Sequence, residues 1–256
     1  MLTNLQLEQI LDEKLNSKMI ADYAPNGLQV EGRREIQKII TGVTASLPLI
    51  EQAISQNADA ILVHHGYFWK SENLAIRGMK GKRIKQLLKH DINLFAYHLP
   101  LDIHLELGNN AQLAKQLGIT QLKGLENKPN SIPVYGELSQ PISANELQQK
   151  LAGLLQHPVI LCDEFIADYP QKLIKTIGIC SGGGQGYIDL AAEKGCDAFI
   201  SGEISEQTTH SAREQGIYYF ACGHHATERD GVKALGRWLA QHYNLDVQFI
   251  DIDNPA

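Results

Sequence analysis

The feature that most constrains the fold of this chain is a resemblance between two of its own segments. Residues 38–66 (KIITGVTASLPLIEQAISQNADAILVHHG) align with residues 175–203 (KTIGICSGGGQGYIDLAAEKGCDAFISGE). Both segments are typical of strand, turn, helix and strand, and Asp59-Ala60 in the first matches Asp197-Ala198 in the second. We therefore predict two related α/β halves that arose by internal duplication. The alternative is that any two parallel β-α-β units look alike because the fold demands it.

The strands that follow these two segments also match. NLFAYHLPLD (93–102) aligns with YYFACGHHATE (218–228), and each carries Phe-Ala and then a histidine followed four positions later by an acid. These pairs are His98/Asp102 and His224/Glu228. Open α/β sheets place their sites at the carboxyl ends of their strands. The repeat therefore predicts a metal site between the two halves, at the strand C-terminal ends.

The order of apolar and helical patterns predicts a largely parallel sheet with helices packed on it. The expected halves are residues 1–126, which carry His64, His65 and Asp102, and residues 127–256, which carry the Gly-rich turn, His224 and Glu228. The boundary is set by Asn127–Pro133, rich in Pro and Asn, and the halves are expected to interlock. The clearest predicted elements are strands Lys38–Val43, Ala58–Val63, Asn93–Tyr97 and Thr176–Cys180, and helices Leu47–Asn57, Asn109–Leu117 and Ala144–Leu155, the last capped by Ser143.

Composition narrows the class of protein. The chain has 256 residues, of which 43% are hydrophobic and 20% charged, which are ordinary globular values. A net charge of −6 argues against attraction of the whole surface to nucleic acid or anionic lipid, although a local basic patch is allowed. No apolar run approaches the ~18 residues of a membrane span. Its four cysteines form no C-x-x-C pair and are expected to be free thiols, so we predict a cytoplasmic protein.

The histidines are grouped where strands are predicted to end. Four of them follow directly after apolar segments: His64, His65, His98 and His224. Asp102 and Glu228 lie in the same loops. A single histidine at a strand end is usually structural, but buried imidazoles and carboxylates together are costly unless they are paired or bind metal. Imidazole with carboxylate is a ligand set for Zn, Mn, Fe or Ni.

The adjacent pair His64-His65 suggests two ions rather than one. Consecutive side chains on a strand point to opposite faces, so two neighbours serve a single ion poorly. Two ions need a bridging acid, for which Asp102 and Glu228 are candidates, and the coordination positions left open favour catalysis. Several assignments stay open. His98 is a ligand, an outer partner of a ligand or a proton carrier, and His225 is a ligand or faces away. The weaker candidates are His104, Glu106 and His210, while His90, His157 and His242 are expected at the surface.

Several motifs together resemble one known family. VHHGYFWK (63–70), HLPLD (98–102), SGGGQG (181–186) and GHHATER (223–229) are similar to those of the YbgI-like dinuclear-metal family, whose members are commonly catalogued as type-2 GTP cyclohydrolase homologues. The resemblance covers essentially the whole chain. It implies a two-domain α/β fold and a toroidal homohexamer whose metal sites face an interior cavity. The ligands it implies for two divalent metal ions per chain are His64, His65, Asp102, His224 and Glu228.

Two further segments have a structural and a functional interpretation. SGGGQG follows a predicted strand and opens a predicted helix, so Gly182, Gly183 and Gly184 form either a tight turn or a phosphate-binding turn. Arg77–Lys89 (RGMKGKRIKQLLK) contains no acid, so it is either a solvated helix face or a wall that attracts phosphate. Glu203 and Glu206 are candidate outer partners of the site or partners of that basic face.

These features predict a metal-dependent hydrolase of a small phosphorylated or nucleotide-like molecule. Ring opening of the GTP cyclohydrolase type is the version that the family resemblance implies, and His98 is the candidate catalytic residue. The competing class is a metal-loaded ring without catalytic activity that binds nucleic acid or a protein partner, for example in DNA repair or regulation. No membrane association is expected.

Overall fold

The structure, a computed structural model, describes residues 2–166 and 171–256. The chain forms two compact units: unit 1 runs to Leu107 and takes up Gly231–Asp253 again, and unit 2 comprises Gly108–Asp230 and Asn254–Ala256. These units differ from the predicted halves 1–126 and 127–256 in two places. Unit 2 begins at Gly108, and Gly231–Asp253 belongs to unit 1. The reason is strand pairing. The last strand pairs with a strand near residue 40, about 200 positions earlier, and residues 119–124 pair with residues 134–138 across the predicted boundary.

Unit 1 contains a five-stranded sheet and helices on both of its faces. Its elements are β1 (Leu2–Thr3), α1 (Asn4–Leu15), a 3-10 turn (Ser17–Met19), β2 (Gly27–Val30), β3 (Glu35–Ile36), β4 (Lys38–Thr44), α2 (Leu47–Ser55), β5 (Ala60–His65), α3 (Gly78–Lys89), β6 (Asn93–Ala96), α4 (Leu99–Ile103), most of α10 (Arg229–Tyr243) and β13 (Asp246–Phe249). The sheet order is β13-β4-β5-β6-β2. All neighbours are parallel except β2, which pairs antiparallel with β6.

Alternating side chains of this sheet enter two separate cores. Ile40, Ile61 and Leu94 pack with apolar residues of α2 and α3 on one face. Their neighbours Ile39 and Phe95 pack with apolar residues of α1 and α10 on the other. This period of two explains why β4 and β5 are buried at nearly every position: both faces of the sheet are covered. The largely parallel sheet predicted for this region is confirmed.

Unit 2 contains a six-stranded sheet with a parallel centre. Its elements are α5 (Asn109–Leu117), β7 (Ile119–Gly124), β8 (Val134–Ile142), α6 (Ala144–Leu155), β9 (Ile160–Cys162), β10 (Ile174–Cys180), a 3-10 turn (Gln185–Tyr187), α7 (Ile188–Glu193), β11 (Ala198–Ser201), α8 (Glu206–Gln215), β12 (Tyr218–Ala221) and α9 (His224–Thr227). The order is β7-β8-β10-β11-β12-β9, with β10, β11 and β12 parallel and the outer pairings antiparallel. Helices α5 and α6 have the predicted bounds, and Ser143 caps α6 through a capping box with Glu146.

The matched aspartates of the two similar segments make the same kind of contact in the structure. In unit 1, the Asp59 carboxylate accepts hydrogen bonds from the backbone of Gln37 and Lys38, both at 2.9 Å. In unit 2, the Asp197 carboxylate accepts from Lys175 and Thr176 at 3.0 and 2.9 Å. Each aspartate thus fixes the start of the preceding strand. The common origin of the two segments remains a prediction.

Removing the carboxylate of Asp197 is expected to lower the free energy of unfolding by about 1–3 kcal/mol, because two backbone donors lose their acceptor. Burial alone would raise the pKa of Asp197, but these donors and Lys172 lower the pKa below its ordinary value. A carboxylate whose pKa is lower in the folded than in the unfolded protein stabilises the fold at a pH above its unfolded pKa. This stabilisation is lost as the pH falls through the folded pKa. Urea unfolding of Asp197→Ala should therefore give a lower free energy of unfolding than wild type at pH 7, and this difference should shrink below about pH 4. Exposed Glu193→Gln is the control, expected within about 0.5 kcal/mol.

The cysteines and helices agree with further expectations. All four cysteines are free thiols, of which Cys180, Cys196 and Cys222 are buried and Cys162 is half-buried. Among the helices in residues 2–166 and 171–256, none has the length and apolar character needed to cross a membrane.

Candidate metal centre

In unit 1, three predicted histidines meet at the ends of neighbouring strands. His64 and His65 end β5, and His98 precedes α4 just after β6. One possible ligand atom from each of these histidines lies within 4.8 Å of the others. Asp102, in α4, brings its Oδ1 to 3.6 Å from His64 Nε2. His64, His98 and Asp102 are all buried, so this is a polar cluster withdrawn from solvent.

The adjacent rings of His64 and His65 lie closer together than a regular strand allows. Their centroids are 4.5 Å apart, whereas successive strand side chains would point to opposite faces. The strand ends at His65 and is followed by Gly66, where a Cβ would lie 2.1 Å from Gln29 Oε1 and 2.5 Å from the Cβ of Ala96. Glycine is therefore needed at position 66, because any side chain would force this crowded turn apart.

A backbone acceptor on the far side of the His64 ring determines which of its nitrogens faces the cluster. The backbone carbonyl of Tyr97 lies 3.1 Å from His64 Nδ1, and a carbonyl only accepts, so Nδ1 carries the proton and Nε2 the lone pair. His65 Nδ1 lies 3.4 Å from the Thr44 hydroxyl. Metal-binding histidines are commonly held in this way, with one ring nitrogen bonded to the protein and the other on the metal.

His98 is held by a carboxylate that the sequence interpretation did not identify. Asp22 Oδ1 lies 2.9 Å from His98 Nδ1, and its Oδ2 accepts from the backbone of Leu99 at 2.9 Å and from Asn26 at 3.0 Å. Burial alone would raise the pKa of Asp22, but His98 and these amide donors lower it to about 2. An ionised carboxylate only accepts, so His98 Nδ1 donates and leaves Nε2 for the cluster.

In unit 2, the predicted pair His224 and Glu228 lies on α9 and directly after it. His224 Nε2 is 3.3 Å from Glu228 Oε2, and its Nδ1 is 2.8 Å from Glu203 Oε1. Burial would lower the pKa of His224, but the two carboxylates outweigh it and raise the pKa to about 9. Glu203 thus holds His224 as Asp22 holds His98, and its role as an outer partner of a metal site remains a prediction. A metal ion binding here must displace the His224 proton.

The Gly-rich turn lies directly against His224 and Glu228. Gly182 has φ +62°, and a Cβ there would lie 2.1 Å from Glu228 Oε1 and 3.0 Å from His224 Nε2. Its backbone N–H donates to the Thr227 hydroxyl at 2.9 Å. The N–H of Ser181 donates to Asn110 Oδ1 at 2.7 Å. The turn therefore has a structural reason for its first glycine. Phosphate binding by Gly182, Gly183 and Gly184 remains a prediction.

Replacing Gly182 by alanine is expected to weaken metal binding about 10-fold or more, because the new methyl group must displace the Glu228 carboxylate. Competition with a chelating dye measures the change. Gly186→Ala is the control, since a Cβ there meets nothing within 4 Å. Unchanged metal affinity in Gly182→Ala, with native circular dichroism, would separate Glu228 from the metal site.

The weaker candidate residues and the histidines expected at the surface differ in burial and in contacts. His104 uses both ring nitrogens on backbone groups: Nε2 lies 3.1 Å from the Lys14 carbonyl, and Nδ1 accepts from Glu106 and Leu107. It is therefore a structural residue, as its low rank among the candidates implied. His225 is buried on α9, whereas His210 and Glu206 are exposed on α8. Of the histidines expected at the surface, His242 is exposed, and His90 and His157 are half-buried.

The basic segment Arg77–Lys89 is not uniformly solvated. Lys80 is buried and pairs with Glu72 at 3.3 Å, while Arg77, Lys82 and Lys85 are exposed. This helix is therefore anchored at Lys80, while Arg83 is half-buried and Lys89 is exposed like the three cations just named.

Comparison with known proteins places this α/β chain and its candidate metal-binding groups in a family. A family model described as Duf34/NIF3 (NGG1p interacting factor 3) matches residues 3–255. The chain belongs to the DUF34/NIF3 family, and the resemblance noted in its motifs is confirmed.

Individual relatives match over the full length. A Haemophilus influenzae protein named "GTP cyclohydrolase 1 type 2 homolog" is 66% identical over 255 residues, covering 100% of both chains. A solved structure described as protein YbgI, of unknown function, has a TM-score of 0.94 and 54% identity, with 100% of both chains covered. The structure of the protein TTHA1606 from Thermus thermophilus has a TM-score of 0.87 and 31% identity over 100% of both chains.

Proposed function

We propose that this chain is a dinuclear metal-dependent hydrolase of a small nucleotide-like or phosphorylated molecule. The proposed ligands of two divalent ions are His64, His65, Asp102, His224 and Glu228. The observation that carries the proposal is the orientation of the histidines. His64 and His224 have Nδ1 held by a protein acceptor, and each has Nε2 within 3.6 Å of a carboxylate oxygen. This donor set suits Zn, Mn, Fe or Ni.

The chemistry divides between the ions and the protein. Divalent ions held by these residues would lower the pKa of water and supply hydroxide near neutral pH. Asp102 and Glu228 would each offer a carboxylate to the ions. His98, whose Nδ1 is held by Asp22, would use its other ring nitrogen to carry a proton between solvent and substrate.

A chelation experiment tests this proposal. Dialysis against a chelator should abolish hydrolysis of any substrate found in a panel of nucleotides and phosphorylated metabolites, and one of the candidate metals should restore it. GTP is the first compound to test, because relatives carry a GTP cyclohydrolase homologue name. Hydrolysis that persists at full rate in metal-free protein would contradict the proposal.

A binding function without catalysis is the second candidate, favoured by the exposed cations of α3. Arg77, Lys82, Lys85 and Lys89 are exposed on this helix and its N-cap. A nucleic-acid function predicts oligonucleotide binding that weakens steeply with salt and survives removal of the metal. The hydrolase proposal predicts no such metal-independent binding.

We also propose a homohexameric ring, on the basis of the family resemblance, and a cytoplasmic location, on the basis of the free cysteines. Light scattering should give about six times the chain mass of 28.4 kDa. A monomer that persists across micromolar concentrations would contradict the ring.

A further inference from the structure

We propose that Tyr23 and Trp69 form a stacking surface for a planar heteroaromatic ring of the substrate, beside His65 and His98. This inference rests on the proposed function and adds a substrate feature and two binding residues to it. All of the contacts that carry it lie within unit 1.

The two rings border the histidine cluster directly. Trp69 and Tyr23 each have a ring centroid 5.0 Å from that of His98, in edge-to-face arrangements. Trp69 is also 5.9 Å from the ring of His65, and 5.8 Å from Tyr23. Tyr23 is 53% exposed and Trp69 is half-buried. A large aromatic surface therefore meets solvent at the edge of the candidate metal cluster.

The loop that carries Trp69 is held in a strained conformation. Phe68 has φ +65°, in the left-handed region that bulky residues rarely adopt. Glu72 Oε2 accepts hydrogen bonds from the backbone of Phe68 at 2.7 Å and of Trp69 at 3.3 Å. Lys80 pairs with Glu72 at 3.3 Å and lies 5.7 Å from the Phe68 ring centroid. Strain that neighbouring residues enforce is typical of functional sites, and here it fixes the position of Trp69.

Tyr23 is tied to the same structure from the other side. The backbone N–H of Lys70 donates to the Tyr23 carbonyl at 2.8 Å, joining the two loops. The backbone N–H of Tyr23 donates to Asp22 Oδ1 at 2.7 Å, and the same oxygen holds His98. The aromatic surface and His98 are thus positioned by one set of hydrogen bonds, so a ring stacked on this surface lies beside His98.

Core packing does not explain the exposure of Tyr23. A side chain that only filled the core would be covered, whereas half of Tyr23 faces solvent. Phe68, by contrast, packs its ring against the core of unit 1, and this anchors the loop that carries Trp69. Tyrosine and tryptophan faces bind nucleobases by stacking with little dependence on the base, which matches a heteroaromatic substrate.

Tryptophan fluorescence gives a direct test with GMP as the probe. The chain has two tryptophans, Trp69 and Trp238, so Trp238→Phe leaves Trp69 as the only reporter. GMP should quench this fluorescence, and ribose 5-phosphate, which lacks the base, should not. By calorimetry, Tyr23→Leu and Trp69→Leu should each weaken GMP binding about 10-fold, while Trp69→Phe should stay near the wild-type value. Trp238→Phe is the matched aromatic control and should leave the affinity unchanged.

Three results would overturn the stacking surface: no GMP binding by the wild-type protein at millimolar concentration, equal affinity for GMP and ribose 5-phosphate, or wild-type GMP affinity in both leucine variants. Tyr23 is largely exposed, so its replacement leaves the core intact, and circular dichroism and metal content check each variant. The readout is binding and not turnover. A protein that stacks GMP but hydrolyses nothing therefore contradicts the hydrolase proposal alone, and a hydrolase indifferent to Tyr23 and Trp69 contradicts the stacking surface alone.

Discussion

The Asp102→Asn protein is expected to lose hydrolysis of any nucleotide substrate to below detection, together with bound metal. Asp102 is buried, and its Oδ1 lies 3.6 Å from His64 Nε2, where the carboxylate charge would hold a cation. Asparagine has almost the same shape but no negative charge, so the fold should persist while the metal affinity falls. Metal content and rate are measured on the same preparation.

The matched control for this variant is Asp91→Asn. Asp91 is an exposed aspartate in unit 1 with φ +57°, a conformation that asparagine tolerates well. It should keep wild-type metal content and rate. If Asp102→Asn also kept both, Asp102 would be neither a ligand nor a catalytic group.

The His98→Ala protein is expected to keep both metal ions and to turn over substrate roughly 10²–10⁴-fold more slowly, as for loss of a group that moves a proton in the rate-limiting step. The physical reason is the contact with Asp22, which holds His98 Nδ1 at 2.9 Å and leaves Nε2 for proton transfer. Metal content and rate must be measured on one preparation, because metal content tests whether His98 is a ligand and the rate tests whether it carries a proton.

Two outcomes would change the account of His98. Loss of a metal ion in His98→Ala would make His98 a ligand, so that the set of five would be incomplete. Retention of both ions and the full rate would remove the proton-carrier role. His242→Ala is the control, since this histidine is exposed and contacts the Trp238 carbonyl on its own helix.

The sequence predicted what depends on local pattern. Helix α6 has its predicted bounds because Ser143 and Glu146 form a capping box that can be recognised from spacing alone. The apolar run predicted a strand over Ala58–Val63 with both histidines just after it; β5 instead spans Ala60–His65, so His64 and His65 are its last two residues. The candidate ligands in each unit could thus be proposed because they come at or just after the ends of apolar strands.

What depends on distant contacts could not be predicted. Asp22 contacts His98 across 76 residues, and the segment DYAPN around it is typical of an ordinary polar turn. Strand β13 pairs with β4 and returns the C-terminal segment to unit 1, which no linker composition reveals. The strained backbone of Phe68 is likewise invisible in the sequence, because propensity would place glycine or asparagine there.

The most direct test of the central claim is the number of metal ions bound per chain. Elemental analysis of protein purified without chelator and supplied with metal should approach two equivalents. Glu228→Ala should lose both if Glu228 bridges the ions, and only one if it is a terminal ligand. The account predicts two equivalents in the wild-type protein; a reproducible single equivalent under metal-replete conditions would contradict the dinuclear site.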